Sequence, residues 1–201
     1  MPNGLSRRAF LRCTVASGAG VTAIASATSS APSLASVRGS ASMPLTMSVN
    51  GVARSLLVEP RTTLAEALRG ALDLTGTKIA CNRGACSACT VWLDGVTVCA
   101  CMMLAVEVGS RKVTTIEGLA GQSGGADTLH PVQAAFVDHD AVQCGFCTPG
   151  MVMSCAALLD RTSDPSAEEI KAAISGHLCR CGTYPHVIEA TLAAAAAKGN
   201  G

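Results

Sequence analysis

The chain has 201 residues, 15 Lys and Arg against 14 Asp and Glu, and a charged fraction of 14%. With no basic or acidic block it has neither the electrostatic footprint of a nucleic-acid binder nor an acidic tail. Three Phe, one Tyr and one Trp leave the core to Ala, Val, Leu, Ile and Met, while eleven Cys demand metal, disulfide or redox chemistry.

Residues 6–13 read Ser-Arg-Arg-Ala-Phe-Leu-Arg-Cys, ahead of a weakly apolar stretch from Thr14 to Ala27. The pattern is that of a twin-arginine export signal with Arg7 and Arg8 as the pair. The stretch is too short and too rich in Gly, Ser and Thr for a stable membrane span. Cleavage is expected after Ala27 or Ala35, within a signal and linker covering residues 1–42, which places the chain in the periplasm. This export route is associated with proteins that take up cofactors before crossing, so it favours metal clusters over disulfides. Cys13 falls inside the signal, leaving ten of the eleven cysteines to explain.

Alternation over Leu45–Val49 and Leu56–Val58, with Asn50-Gly51 between, predicts a β-hairpin. Leu64, Ala67 and Leu68 share a face, and Thr62 or Thr63 stands ready to cap, so a short helix is expected over 63–70. A cysteine loop spans 79–90. Strands are then expected at 91–93, 96–101 and 113–116, with a turn at Asp94-Gly95. Two strands, a helix crossing a small sheet and further strands make a β-grasp arrangement, domain 43–119. Gly121 to Gly125 is a plausible linker. Beyond it, helices are predicted over 130–141, 149–160, 166–175 and 184–197, with Pro149 and Pro185 in first turns and Ser166/Glu169 as a capping box. They would form an all-α four-helix lobe, domain 126–198, so the fold class is α+β. Met151, Cys155, Leu158 and Leu159 form a core stripe.

Cys81, Cys86 and Cys89 follow C-x4-C-x2-C, with eleven residues between the last of them and Cys101. Ferric iron bridged by sulfide needs soft anionic ligands, and three thiolates on a loop with a fourth from a strand is the plant-type [2Fe–2S] spacing. Cys144-Gly-Phe-Cys147 and Cys179-Arg-Cys181 supply four more thiolates, which by count alone suit either tetrahedral zinc or a second [2Fe–2S] cluster. Cys99, two residues from Cys101, would share its strand face and is the ambiguous ligand. Cys155 reads as an ordinary buried thiol. His130, His139, His177 and His186 lack the Cys-His pairs of a Rieske site and read as structural or surface residues. Arg180, between two candidate ligands, would raise a cluster potential or solvate the surface. A disulfide-stapled exported module is the non-enzymatic rival.

The segments Gln143-Cys-Gly-Phe-Cys-Thr-Pro-Gly-Met151, Leu178-Cys-Arg-Cys-Gly-Thr-Tyr184, Cys81-Asn-Arg-Gly-Ala-Cys-Ser-Ala-Cys-Thr-Val91 and Thr115-Ile-Glu-Gly-Leu119 closely resemble the iron–sulfur component of the xanthine dehydrogenase/aldehyde oxidoreductase family, in the same order. The resemblance implies a β-grasp cluster held by Cys81, Cys86, Cys89 and Cys101, and a helical-lobe cluster held by Cys144, Cys147, Cys179 and Cys181. It also puts Gln143 and Cys181 at the edge of a molybdopterin cofactor on a large partner subunit. The implied role is electron transfer for a molybdenum-dependent aldehyde oxidoreductase, toward a flavin (FAD) subunit or external acceptor. An N-heterocycle hydroxylase with a cytochrome-type subunit is the alternative. Substrate chemistry would belong to the partners.

Overall fold

The computed structural model describes residues 41–120 and 128–199. The export signal with Arg7, Arg8 and Cys13, both cleavage positions and the connector Gly121–Gly125 lie outside the described residues.

Strand β1 (Met43–Val49) turns at Asn50 and Gly51 and returns as β2 (Val52–Val58), paired from Met43 with Val58 to Val49 with Val52. Both turn residues hold positive φ, 53° and 78°, as a two-residue hairpin matching the strand twist requires. Helix α1 (Leu64–Glu66) starts at Thr63, whose Oγ1 accepts from the Glu66 amide at 3.2 Å while Glu66 Oε2 accepts from the Thr63 amide at 2.8 Å. It widens into a π turn at Ala67–Ala71, where the Leu72 amide donates to the Ala67 carbonyl at 3.2 Å.

Strands β3 (Thr90–Leu93), β4 (Val96–Cys99) and β5 (Lys112–Thr114) complete a sheet of order β2-β1-β5-β3-β4, with β1 and β5 parallel and the other pairs antiparallel. Two strand ends differ from expectation. β4 stops at Cys99, where Ala100–Met102 turn into a 3₁₀ helix, although the Ala100 amide still donates to the Cys89 carbonyl (3.2 Å) in the β3–β4 register. β5 stops at Thr114 because Asn50 captures Thr115, accepting its amide at 2.9 Å and donating to its hydroxyl at 3.0 Å, and helix α2 (Ile116–Leu119) follows.

Helices α3 (Pro131–Asp138), α4 (Thr148–Arg161), α5 (Ala167–Ile174) and α6 (Tyr184–Gly199) come next. His130 caps α3, its Nδ1 accepting from the Val132 amide at 3.3 Å, and Ser166 with Glu169 caps α5 reciprocally. The first of these helices ends three residues earlier than expected, at Asp138, where Asp140 takes φ 50° and reverses the chain. The chain is therefore α+β, and among the described residues no helix is long and apolar enough to cross a membrane.

All four residues of β3 are buried, because its two faces meet different cores. Val91 and Leu93 join Met47, Leu64, Leu68 and Val113 under the sheet. Trp92 faces the other way, among Phe136, Met151 and Val187, and its Nε1 donates to the Met153 carbonyl at 2.8 Å. One strand thus ties the sheet to the helices.

Candidate metal centres

The first cysteine loop is built on left-handed backbone. Asn82, Gly84 and Ser87 hold φ of 51°, 70° and 55°, which turns successive amides toward one side, as anion-binding backbone concavities do. The Gly84 amide donates to Cys101 Sγ at 3.4 Å and the Ala85 amide to Cys81 Sγ at 3.3 Å. A Cβ at Gly84 would come within 2.9 Å of the Met102 side chain, so the close approach needs glycine. The Arg83 amide, with help from the Cys86 thiol, brings Cys81 down to about 6. Cys89 is pushed up to about 12 by burial, beside Cys101.

The second set comes from two chain turns. Cys147 is the residue ahead of α4, at the helix end that favours negative charge. Cys144 lies three residues before it and is exposed, its thiol lowered by the Phe146 amide and then by the Cys181 thiol. Burial pushes Cys147 up to about 12, with the Cys179 thiol next to it. Burial also works upward on Cys179, but the Thr183 hydroxyl (3.3 Å) and amide and the Cys147 thiol bring it down to about 7. Tyr184 fastens this turn, its hydroxyl donating to the His177 carbonyl (2.9 Å) and accepting from the Cys179 amide (2.8 Å).

The thiols of both sets meet in pairs, Cys81 with Cys86, Cys89 with Cys101, Cys144 with Cys181 and Cys147 with Cys179. Pairs of thiolates suit a two-iron cluster, which takes two per iron, better than a structural zinc ion, which needs four on one centre. Amide donors to sulfur suit it too, since such bonds stabilise anionic sulfur.

The two loops touch. The Leu178 amide donates to the Cys86 carbonyl at 3.2 Å, so backbone adjoining Cys179 is bonded directly to Cys86. Gly150, in the first turn of α4, packs on the Ser87 carbonyl and Ala88. None of this joint was read from the sequence, although Tyr184 and Thr183 stood in the quoted segment around Cys179.

Of the spare cysteines, Cys155 is fully buried and pushed up to about 11 by that burial. The strand face expected to carry both Cys99 and Cys101 ends at Cys99, because Cys101 sits in the 3₁₀ turn, though both thiols lie near Cys89. The Cys99 sulfur lies 3.9 Å from Ser87 Oγ, beside a cavity of about 150 Å³ shared with Ser154 and His177. Replacing Cys99 by serine should leave iron content and electron paramagnetic resonance (EPR) signals as in the native protein, whereas Cys101→Ala should remove one cluster. The reverse result would reassign the ligand. The histidines serve structure: His130 caps, His177 Nε2 lies 2.7 Å from Ser154 Oγ, and His186 Nδ1 lies 3.1 Å from the His139 carbonyl. Gln143 and Arg180 are exposed.

Residues 47–126 match the 2Fe-2S iron-sulfur cluster binding domain family and residues 115–192 the [2Fe-2S] binding domain family. The aldehyde oxidoreductase iron-sulfur-binding subunit PaoA of Escherichia coli O157:H7 is 41% identical over 92% of this chain and 86% of its own length. The nicotine 6-hydroxylase small subunit of Paenarthrobacter nicotinovorans is 45% identical over 76% of this chain and 89% of its own. Among solved structures, quinoline 2-oxidoreductase from Pseudomonas putida superposes with a TM-score of 0.73 at 41% identity, covering 80% of this chain and 98% of that one. With two [2Fe–2S]-binding domains in this order and identity of this extent, the chain belongs to the iron–sulfur subunits of the aldehyde oxidoreductase and xanthine-type dehydrogenase family.

Proposed function

We propose that this chain is the electron-transfer subunit of an exported, molybdenum-dependent aldehyde oxidoreductase. Cys81, Cys86, Cys89 and Cys101 would hold one [2Fe–2S] cluster in a β-grasp lobe over residues 43–119. Cys144, Cys147, Cys179 and Cys181 would hold the other in a helical lobe over 126–198. Such groups, when bound, take up and release one electron each. What the chain supplies is position and environment: amides at Gly84 and Ala85 and the Thr183 hydroxyl stabilise thiolate sulfur, and buried Cys89 and Cys147 keep water from one side of each site.

The observation that carries the reading is the Leu178 amide bonded to the Cys86 carbonyl at 3.2 Å. It joins the two ligand sets by backbone and a single hydrogen bond, which suits transfer between them and has no use in two independent metal modules. Three of the four cysteines of the helical set are exposed or half-buried, against one of four in the first set, which supports the helical lobe as the side that would meet a molybdopterin-bearing large subunit, with Gln143 and Cys181 at its edge. Electrons would leave from the β-grasp side toward an FAD-binding subunit or external acceptor. Arg7 and Arg8 would send the assembly to the periplasm by the twin-arginine route.

The aldehyde reading rests on the match to PaoA across 92% of the chain, against 76% for the nicotine 6-hydroxylase subunit. Similarity to that subunit and to quinoline 2-oxidoreductase supports a second reading, an N-heterocycle hydroxylase, for which the acceptor would be a cytochrome-type subunit. Anaerobic addition of benzaldehyde to the purified complex should bleach the iron–sulfur absorbance of both clusters. Bleaching by quinoline or nicotinate instead selects the second reading, and bleaching by none of them refutes the role.

A further inference from the structure

A cleft of about 370 Å³ opens beside Cys144, lined by Arg69 and Lys78 from the segment before the first cysteine loop, by Ile79 at its start, and by Cys144, Gly145 and Phe146 from the second. Both cations are fixed in place. Arg69 Nη1 donates to the carbonyls of Thr75 (2.6 Å) and Thr77 (2.9 Å), and Lys78 Nζ donates to the Thr75 carbonyl at 2.8 Å. Carbonyl dipoles hold these groups without neutralising them. Among the described residues the ion pairs are Arg61–Glu59, Lys171–Glu168 and Lys198–Asp160, so neither Arg69 nor Lys78 has a carboxylate within reach. Phe146 is 47% exposed at the rim. Two pre-set cations with no counter-ion, beside an exposed aromatic, make a surface site able to pair with an anion.

We propose that this cleft seats a carboxylate, an Asp or Glu side chain of the molybdenum-bearing partner subunit, and so fixes that subunit over Cys144. The inference rests on the reading that this face meets that partner. Charge complementarity selects the occupant: a carboxylate can accept from both cations at once, and a partner laid over Phe146 would shield the pairing from water.

The test uses the full-length chain assembled with its partner subunits and carrying Lys78→Gln, Lys78→Glu or Lys78→Arg. Arg69 is left alone because it also holds two loop carbonyls. Assembly affinity should weaken about tenfold for Lys78→Gln and about a hundredfold for Lys78→Glu, and stay within about threefold for Lys78→Arg. The salt dependence of assembly should flatten in the first two, with iron content and both reduced-cluster EPR signals unchanged. Native-like assembly by Lys78→Glu with intact clusters overturns the proposal. So does weakened assembly accompanied by loss of a cluster signal in both the Gln and Glu variants, which makes Lys78 a fastener of the turn. Inorganic phosphate binding to the isolated chain that Lys78→Glu abolishes, with assembly unaltered, assigns the cleft to a free anion and overturns it too. Native protein that loads no iron refutes the electron-transfer reading itself, a failure distinct from these.

Discussion

Replacing Gly150 by alanine should destabilise the chain by about 1–3 kcal/mol, the usual cost of overpacking, and perturb the first cluster from a distance. The added Cβ would stand 2.4 Å from the Ser87 carbonyl oxygen and 3.3 Å from Ala88 Cα. Those are backbone atoms, so no rotamer change relieves the clash. Ser87 lies between Cys86 and Cys89 in a left-handed conformation, φ 55°, and its carbonyl already accepts from the Thr90 amide (3.2 Å) and hydroxyl (2.7 Å). Pushing it away moves the loop that holds the thiols and stretches the Leu178–Cys86 hydrogen bond. The helix-propensity gain of alanine over glycine, up to about 1 kcal/mol, offsets only part of this. Thermal melting of the iron-loaded protein should fall by roughly 2–4 °C per kcal/mol lost, for a chain of this size. Gly176→Ala is the control: its Cβ would meet only the Ser87 hydroxyl at 3.3 Å, a tip free to rotate. Equal melting temperatures and EPR spectra for native protein and Gly150→Ala would show that the two loops are not packed as described.

Cys147→Ala should remove one cluster and leave the other. Cys147 is buried at the start of α4 and paired with Cys179, so no nearby donor replaces it; Cys155 is fully buried, two helical turns further on. Iron should fall from about four to about two per chain, with one of two one-electron EPR signals lost. The surviving signal should belong to the first loop, whose ligands lie on other elements. Cys155→Ala should keep both clusters, since that thiol only fills core. Loss of both signals from Cys147→Ala would mean the sites load together, and loss of neither would move the ligand elsewhere.

Much of this was legible because local chemistry spoke plainly. Asn50-Gly51 and Asp94-Gly95 are turn pairs that take positive φ readily, and both adopt it. Ser166 with Glu169 formed its capping box as the pattern required. The ligand candidates were readable from spacing because thiolates must reach one cluster from a short loop. What the sequence hid was contact between distant segments. Trp92 looked like one more strand residue, yet period two sends it into the helical core while its neighbours enter the other. Gly150 resembled a small residue in a helix start, and only the approach of Ser87, 63 positions away in the chain, explains it. Cys99 was misplaced because strand alternation was carried two residues too far, into the 3₁₀ turn Ala100–Met102. The pairing of Arg69 and Lys78 around one cleft likewise follows from tertiary structure, since nothing in their spacing points to Cys144.

The most direct measurement is iron and acid-labile sulfide per chain in the purified protein, together with EPR during a dithionite reduction. About four iron and four sulfide are expected, with two distinguishable one-electron signals. Zinc in place of half the iron, or no metal and no free thiols, would contradict this and return the helical thiols to a structural or disulfide role.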